Sequence, residues 1–231
     1  MVEHPLAEKV ALACNILAAE GQGDQIFGHV TAREPHSDSL YMIPTGLGLE
    51  EITVKHVITI DLEGRLLQGS GRVPAEFPIH TEVYKMYPEI NCVVHTHPFF
   101  SVVVGATAGT IKPIGHEGAL FSNIEIFAET TGLISTTALG RKVALALKGK
   151  KALLLRNHGI LVMGASLEDA TVCALLLEKA ARMQVVAHLM GSYQGSPSNE
   201  IEGKIEEIYN SRIMKSLWDY NVRKVRARRG P

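Results

Sequence analysis

Two short apolar runs, Ala152–Leu155 and Ile160–Met163, stand four residues apart, and a third, Asn91–His95, runs straight into histidine. Runs this short read as buried strands, because a helix needs about ten residues or more. Stretches with helical spacing lie around them: 6–20, 76–86, 99–105, 139–147, a long one from Ser166, and 204–221. Ser166 with Asp169 three residues on resembles a capping box, with Asp in place of Glu. Residues 29–33 and 39–43 read as short strands around a turn, and 57–61 with 65–68 as a hairpin across Glu63-Gly64. The Gly195–Asn199 stretch reads as a loop between helices, and the basic tail Arg223–Arg229 as a solvated or frayed end. The expectation is one α/β domain over residues 1–231, with helices on both faces of a mostly antiparallel sheet.

Composition narrows the function. The 23 basic and 24 acidic side chains leave a net charge of −1, so no global field favours nucleic acid. Three scattered cysteines, Cys14, Cys92 and Cys173, make no disulfide framework. The N-terminus lacks the basic and apolar blocks of a signal peptide, and no apolar stretch approaches the roughly 20 residues of a membrane span. A cytoplasmic protein without membrane or nucleic-acid partners is expected. Histidine stands out, ten against a single tryptophan.

Three motifs carry chemistry. In His95-Thr96-His97-Pro98 the two imidazoles alternate by two, so on a strand end they share a side, roughly 6–7 Å apart along the backbone. They suit a divalent ion, which takes imidazole nitrogen at about 2.0–2.1 Å; a pair of surface histidines near a turn is the other reading. In Asn157-His158-Gly159 the histidine lies between two β runs, as a satisfied core residue or as a ligand at a strand break. Glu76 opens a helix after a proline turn, as an ordinary acid favoured by the helix dipole or as a carboxylate serving a metal. His80 follows four residues later, as a partner behind the site or as core.

Taken jointly, Glu76, His95-Thr96-His97 and Asn157-His158-Gly159 resemble, in order and spacing, the class II aldolase/adducin family. Gly28-His29-Val30-Thr31-Ala32-Arg33, Ile43-Pro44-Thr45-Gly46 and the Asp61/Gly64 hairpin are similar to it as well. The resemblance runs from about Leu6 to Gly191 and implies a three-layer α/β/α fold. It also implies a homotetramer with active sites at subunit interfaces. It further implies one divalent metal per subunit, zinc, manganese, iron or cobalt, held by His95, His97 and His158. Glu76 matches the acid/base glutamate, which also binds the metal when substrate is absent. The adducin branch lacks these ligands, so their presence here favours an enzyme over an interaction module with a vestigial site.

The departures point to a branch. Sugar-phosphate aldolases of the family carry Gly-Asn where this chain has Gly28-His29, and Ser-Ser where it has Pro74-Ala75. Proline has no N–H and alanine no hydroxyl, so a phosphate would lose donors here. Their proton-donating tyrosine has no match in Glu129-Thr130-Thr131-Gly132-Leu133. The chain looks more like the decarboxylases of the family, which act on non-phosphorylated, often aromatic, hydroxy acids. An aldolase or epimerase acting on a hydroxy-carbonyl compound is the alternative. Expected substrate contacts are His29, Arg33 (a carboxylate clamp or a surface ion pair), Thr45 and Gly46. His116 is a candidate proton donor or a satisfied loop histidine.

Overall fold

A computed structural model describes residues 4–107 and 110–228. Its centre is an eight-stranded sheet ordered β4-β3-β2-β1-β5-β8-β7-β6. The strands are β1 (His29–Ala32), β2 (Leu40–Met42), β3 (Ile58–Ile60), β4 (Leu66–Gln68), β5 (Cys92–Thr96), β6 (Glu125–Phe127), β7 (Ala152–Leu155) and β8 (Gly159–Gly164). Every pairing is antiparallel except β6 with β7. The central strands are buried along their whole length, which explains their unbroken apolar runs.

Side chains alternate between two cores. Val30, Cys92, Val94, Leu154, Ile160 and Val162 face one way, where α1 (Pro5–Leu17), α3 (Phe99–Ala106), α6 (Leu167–Met190) and α8 (Ser211–Arg228) pack. Val93, Leu153, Leu155, Leu161 and Met163 face the other, against α2 (Pro78–Met86) and α5 (Thr137–Leu147). This is the expected three-layer α/β/α arrangement. α4 (Gly115–Leu120) and α7 (Ser198–Ile208) complete the α6 side. The Ser166 side chain caps α6 by accepting from the Asp169 N–H, as its spacing indicates.

Several boundaries differ from the sequence reading, each for a local reason. The helix expected at 76–86 starts at Pro78, which suits a first helical position, so Glu76 sits in the turn ahead of it. The first helix gives way at Ala18 to a wider turn through Gln22, broken at Gly21 with φ of +85°. The stretch 204–221 divides at Tyr209-Asn210, where Asn210 accepts from the Ile213 N–H and starts α8. The tail is helical through Arg228: Val225 is buried and Arg228 donates to the Ala19 carbonyl at 2.8 Å, while Arg229 lies outside the described residues. β6 escapes the pattern search, being three residues long and buried only at Phe127.

Candidate metal centre

The centre lies where β5 ends and β1 and β8 begin, beside the turn before α2. Its shape comes from two glycines. A Cβ on Gly159 would stand 2.3 Å from the Thr96 carbonyl oxygen and 2.7 Å from the His97 ring, so only glycine lets β8 pass this close to β5. Gly28 enters β1 with φ of +85°, and a Cβ there would lie 3.4 Å from the His95 carbonyl. Between β7 and β8 the chain turns with the His158 N–H donating to the Leu155 carbonyl, and Asn157 takes the left-handed position at φ of +53°. That turn swings His158 over the end of β5.

Glu76, His95, His97 and His158 each offer one ligand atom, and these atoms all lie within 4.8 Å of one another. His95 and His97 converge as their spacing indicates, with ring centroids 4.8 Å apart. His158 stands 4.9 Å from His95 and 5.2 Å from His97 by the same measure. Glu76 Oε2 is 3.6 Å from His95 Nε2, and Oε1 is 3.6 Å from His158 Nε2. The Ile134 N–H donates to Oε1 at 2.7 Å and holds the carboxylate in place.

The hydrogen bonds behind the rings set their tautomers. His95 Nδ1 faces the Ile160 carbonyl at 2.8 Å, an acceptor only, so Nδ1 carries the proton. His97 Nδ1 faces the Asp24 carboxylate at 2.9 Å with the same consequence. Both Nε2 atoms are then bare, and they stand 3.1 Å apart. His158 Nε2 is buried with no hydrogen-bond partner among the described residues. Bare nitrogens turned on each other beside a carboxylate repel unless a cation sits between them. The donor set therefore fits a divalent ion. Burial, reinforced by His95, lowers the His97 pKa to about 4, which keeps the ring neutral at neutral pH. Burial raises the Glu76 carboxyl, but N–H donors on the His158 and His95 edges, or a cation in their place, outweigh it and hold the group well below the usual range.

Two further histidines stand behind the centre. His29 pairs directly with His95 across β1 and β5, with ring centroids 5.0 Å apart, and its Nε2 is 3.9 Å from Glu76 Oε2. His80, from α2, touches His29 at 2.7 Å, so it acts as a partner behind the site rather than as core filler. Thr45 and Gly46 lie in the loop after β2, joined to the Glu76 segment by a hydrogen bond from the Thr45 N–H to the Arg72 carbonyl.

Two expected contacts are not brought to the centre. Arg33 shares the α2 face of β1 with His29 but sits past its far end. Its buried guanidinium donates to the carbonyls of Pro88 at 2.9 Å and Ile90 at 3.0 Å and stacks on Tyr84. It is neither a carboxylate clamp nor a surface ion pair. His116 is exposed on α4, which packs against α6 and α7; among the described residues no hydrogen bond, ion pair or ring contact joins it to the cluster. Asp24 and Phe27 had no motif to flag them. A turn closed by the Phe27 N–H on the Asp24 carbonyl brings Asp24 to His97 and sets the half-exposed Phe27 ring 6.4 Å from the His97 ring.

The chain matches, over residues 8–185, the family described as Class II Aldolase and Adducin N-terminal domain. It belongs to the class II aldolase and adducin family. Within that family it is 30% identical over 179 residues to decarboxylase NovR of Streptomyces niveus, covering 76% of this chain and 66% of the relative. The chain thus spans just under two thirds of NovR. It is 26% identical over 236 residues to a 3,4-dihydroxyphthalate decarboxylase of Arthrobacter keyseri, covering 95% of this chain and 94% of that one. The crystal structure of an aldolase II superfamily protein from Pseudomonas syringae superposes with a TM-score of 0.88 at 25% identity, covering 99% of this chain and 94% of that one.

Proposed function

We propose that this chain is a divalent-metal-dependent lyase that decarboxylates a non-phosphorylated, hydroxylated aromatic or heteroaromatic carboxylic acid. The observation that carries the metal dependence is the 3.1 Å approach of two bare imidazole nitrogens. A divalent ion held by His95, His97, His158 and, without substrate, Glu76 supplies Lewis acidity toward the hydroxyl and an adjacent oxygen of the acid. Glu76, ionised at rest, is assigned a proton relay: it takes a proton from water and delivers it to the carbon as CO₂ leaves, with hydroxide left in the water's place. The exposed Phe27 ring, 6.4 Å from that of His97, favours a flat ring in the site. The Thr45 hydroxyl makes no hydrogen bond among the described residues, and with the Gly46 N–H it is assigned to the acid's polar groups. Pro74 and Ala75 offer a phosphate no side-chain donor, which counts against a sugar phosphate.

The decarboxylase names of two relatives favour the same reading. The exposed Phe27 beside the centre also favours a homotetramer that completes the site between subunits. The test is a product assay of the metal-loaded protein on hydroxybenzoates, dihydroxyphthalate and hydroxypyridine carboxylates. CO₂ release from one of these supports the reading. Aldehyde formation from hydroxy ketones, with every acid untouched, replaces it with an aldolase.

A further inference from the structure

A file of buried polar groups runs from the centre into the α2 layer. His29 Nδ1 is 2.7 Å from His80 Nε2, and His80 Nδ1 is 2.8 Å from Thr31 Oγ1. Thr31 Oγ1 is 2.9 Å from Tyr84 Oη, which is in turn 3.0 Å from the Thr31 carbonyl oxygen. All four side chains are buried.

The carbonyl fixes the direction of every bond in the file. It only accepts, so Tyr84 donates to it. Tyr84 Oη then accepts the Thr31 hydroxyl proton. Thr31 Oγ1 has no second proton, so it accepts from His80 Nδ1–H. Both rings are buried and neither has a carboxylate within hydrogen-bond distance among the described residues to balance a charge, so each carries one N–H. His80 Nε2 is therefore bare and accepts from His29 Nδ1–H, which leaves His29 Nε2 bare. The reverse assignment leaves one of the four contacts without a proton.

We propose that this file makes His29 a fixed hydrogen-bond acceptor toward the substrate, so that the site selects acids with a free hydroxyl over their O-alkyl ethers. The proposal rests on reading the site as one for hydroxy acids. His29 Nε2 and Glu76 Oε2, 3.9 Å apart, face the same space with no proton between them. A substrate hydroxyl donates to Nε2; an ether oxygen turns another lone pair on it. Tyr84, Thr31 and His80 act only through His29 and are positioning residues.

The test uses the zinc-loaded full chain. Nitrogen–proton NMR of the imidazoles is expected to show His29 protonated at Nδ1 and bare at Nε2. Salicylate is expected to bind about tenfold more tightly than its O-methyl ether, or better. Tyr84→Phe removes the acceptor of the Thr31 hydroxyl proton, leaving His80 Nδ1 at 2.8 Å as the nearer acceptor and the Val93 carbonyl at 3.5 Å as the farther one. His29 Nε2 should then gain a proton and the preference for salicylate should shrink, with metal content unchanged. A protonated His29 Nε2 in the wild type, or equal binding of acid and ether, overturns the proposal. The spectrum needs neither turnover nor a variant, so missing CO₂ release counts against the decarboxylase reading and not against the tautomer.

Discussion

His95 Nε2 and His97 Nε2 stand 3.1 Å apart, and each ring's other nitrogen is already committed as a donor, to the Ile160 carbonyl and to Asp24. Bare nitrogens hold that arrangement at the cost of lone-pair repulsion, and a cation turns the same geometry into coordination.

Removing one ring opens the set. His95→Ala should lose metal and activity together, because two imidazoles and a carboxylate remain. Elemental analysis of the purified variant checks this, and full metal occupancy would contradict the ligand assignment.

Asp24 fixes the His97 tautomer without entering the donor set. Asp24→Ala should weaken metal affinity by about 10–100-fold while the fold stays intact. Competition against a chelator of known affinity measures it; unchanged affinity means that Asp24 is an ordinary surface acid.

Glu76→Gln keeps a carbonyl oxygen for the Ile134 N–H but removes the charge and the oxygen that takes up and passes on the proton. Metal should be retained and turnover should fall by about 10²–10⁴-fold. Wild-type rates would end its acid/base role.

His80 is buried and its pKa is lowered to about 3, against 6.5 in the unfolded chain, by burial and by His95. Between those values the unfolded chain binds a proton that the folded one does not. The contribution is full above pH 6.5 and is lost as pH falls, by about 1.4 kcal/mol per unit. Denaturant midpoints of the chelator-stripped protein at pH 7 and pH 5 should show the loss, and His80→Gln should lessen it, with His29 and His97 accounting for the remainder. Equal slopes for both proteins would mean that His80 is protonated in the fold.

Gly159→Ala drives a methyl group into the Thr96 carbonyl. Destabilisation of roughly 2–3 kcal/mol is expected, with lost metal affinity from the displaced His97 ring. Thermal unfolding of the stripped variant reads the first effect free of the second.

The sequence shows the centre better than its surroundings. His95, His97 and His158 can be read because alternation on a strand end and a glycine at a strand break are local properties. Asp24 and Tyr84 cannot, since a turn and the packing of α2 on β1 bring them to His97 and Thr31 from 73 and 53 residues away. Arg33 shows the converse. Its position on the β1 face is readable, but the carbonyls of Pro88 and Ile90 that occupy it appear only when α2 packs down. The division at Tyr209-Asn210 is equally hidden, because an asparagine inside a helical pattern reads as surface until its side chain is seen capping the next helix.

The most direct measurement is a titration of the chelator-stripped protein with zinc while CO₂ release from a hydroxylated aromatic acid is followed. The account predicts no release at the start and a linear rise that breaks at one equivalent per chain. Release by the stripped protein, or none at any zinc concentration across the acids tested, would contradict it.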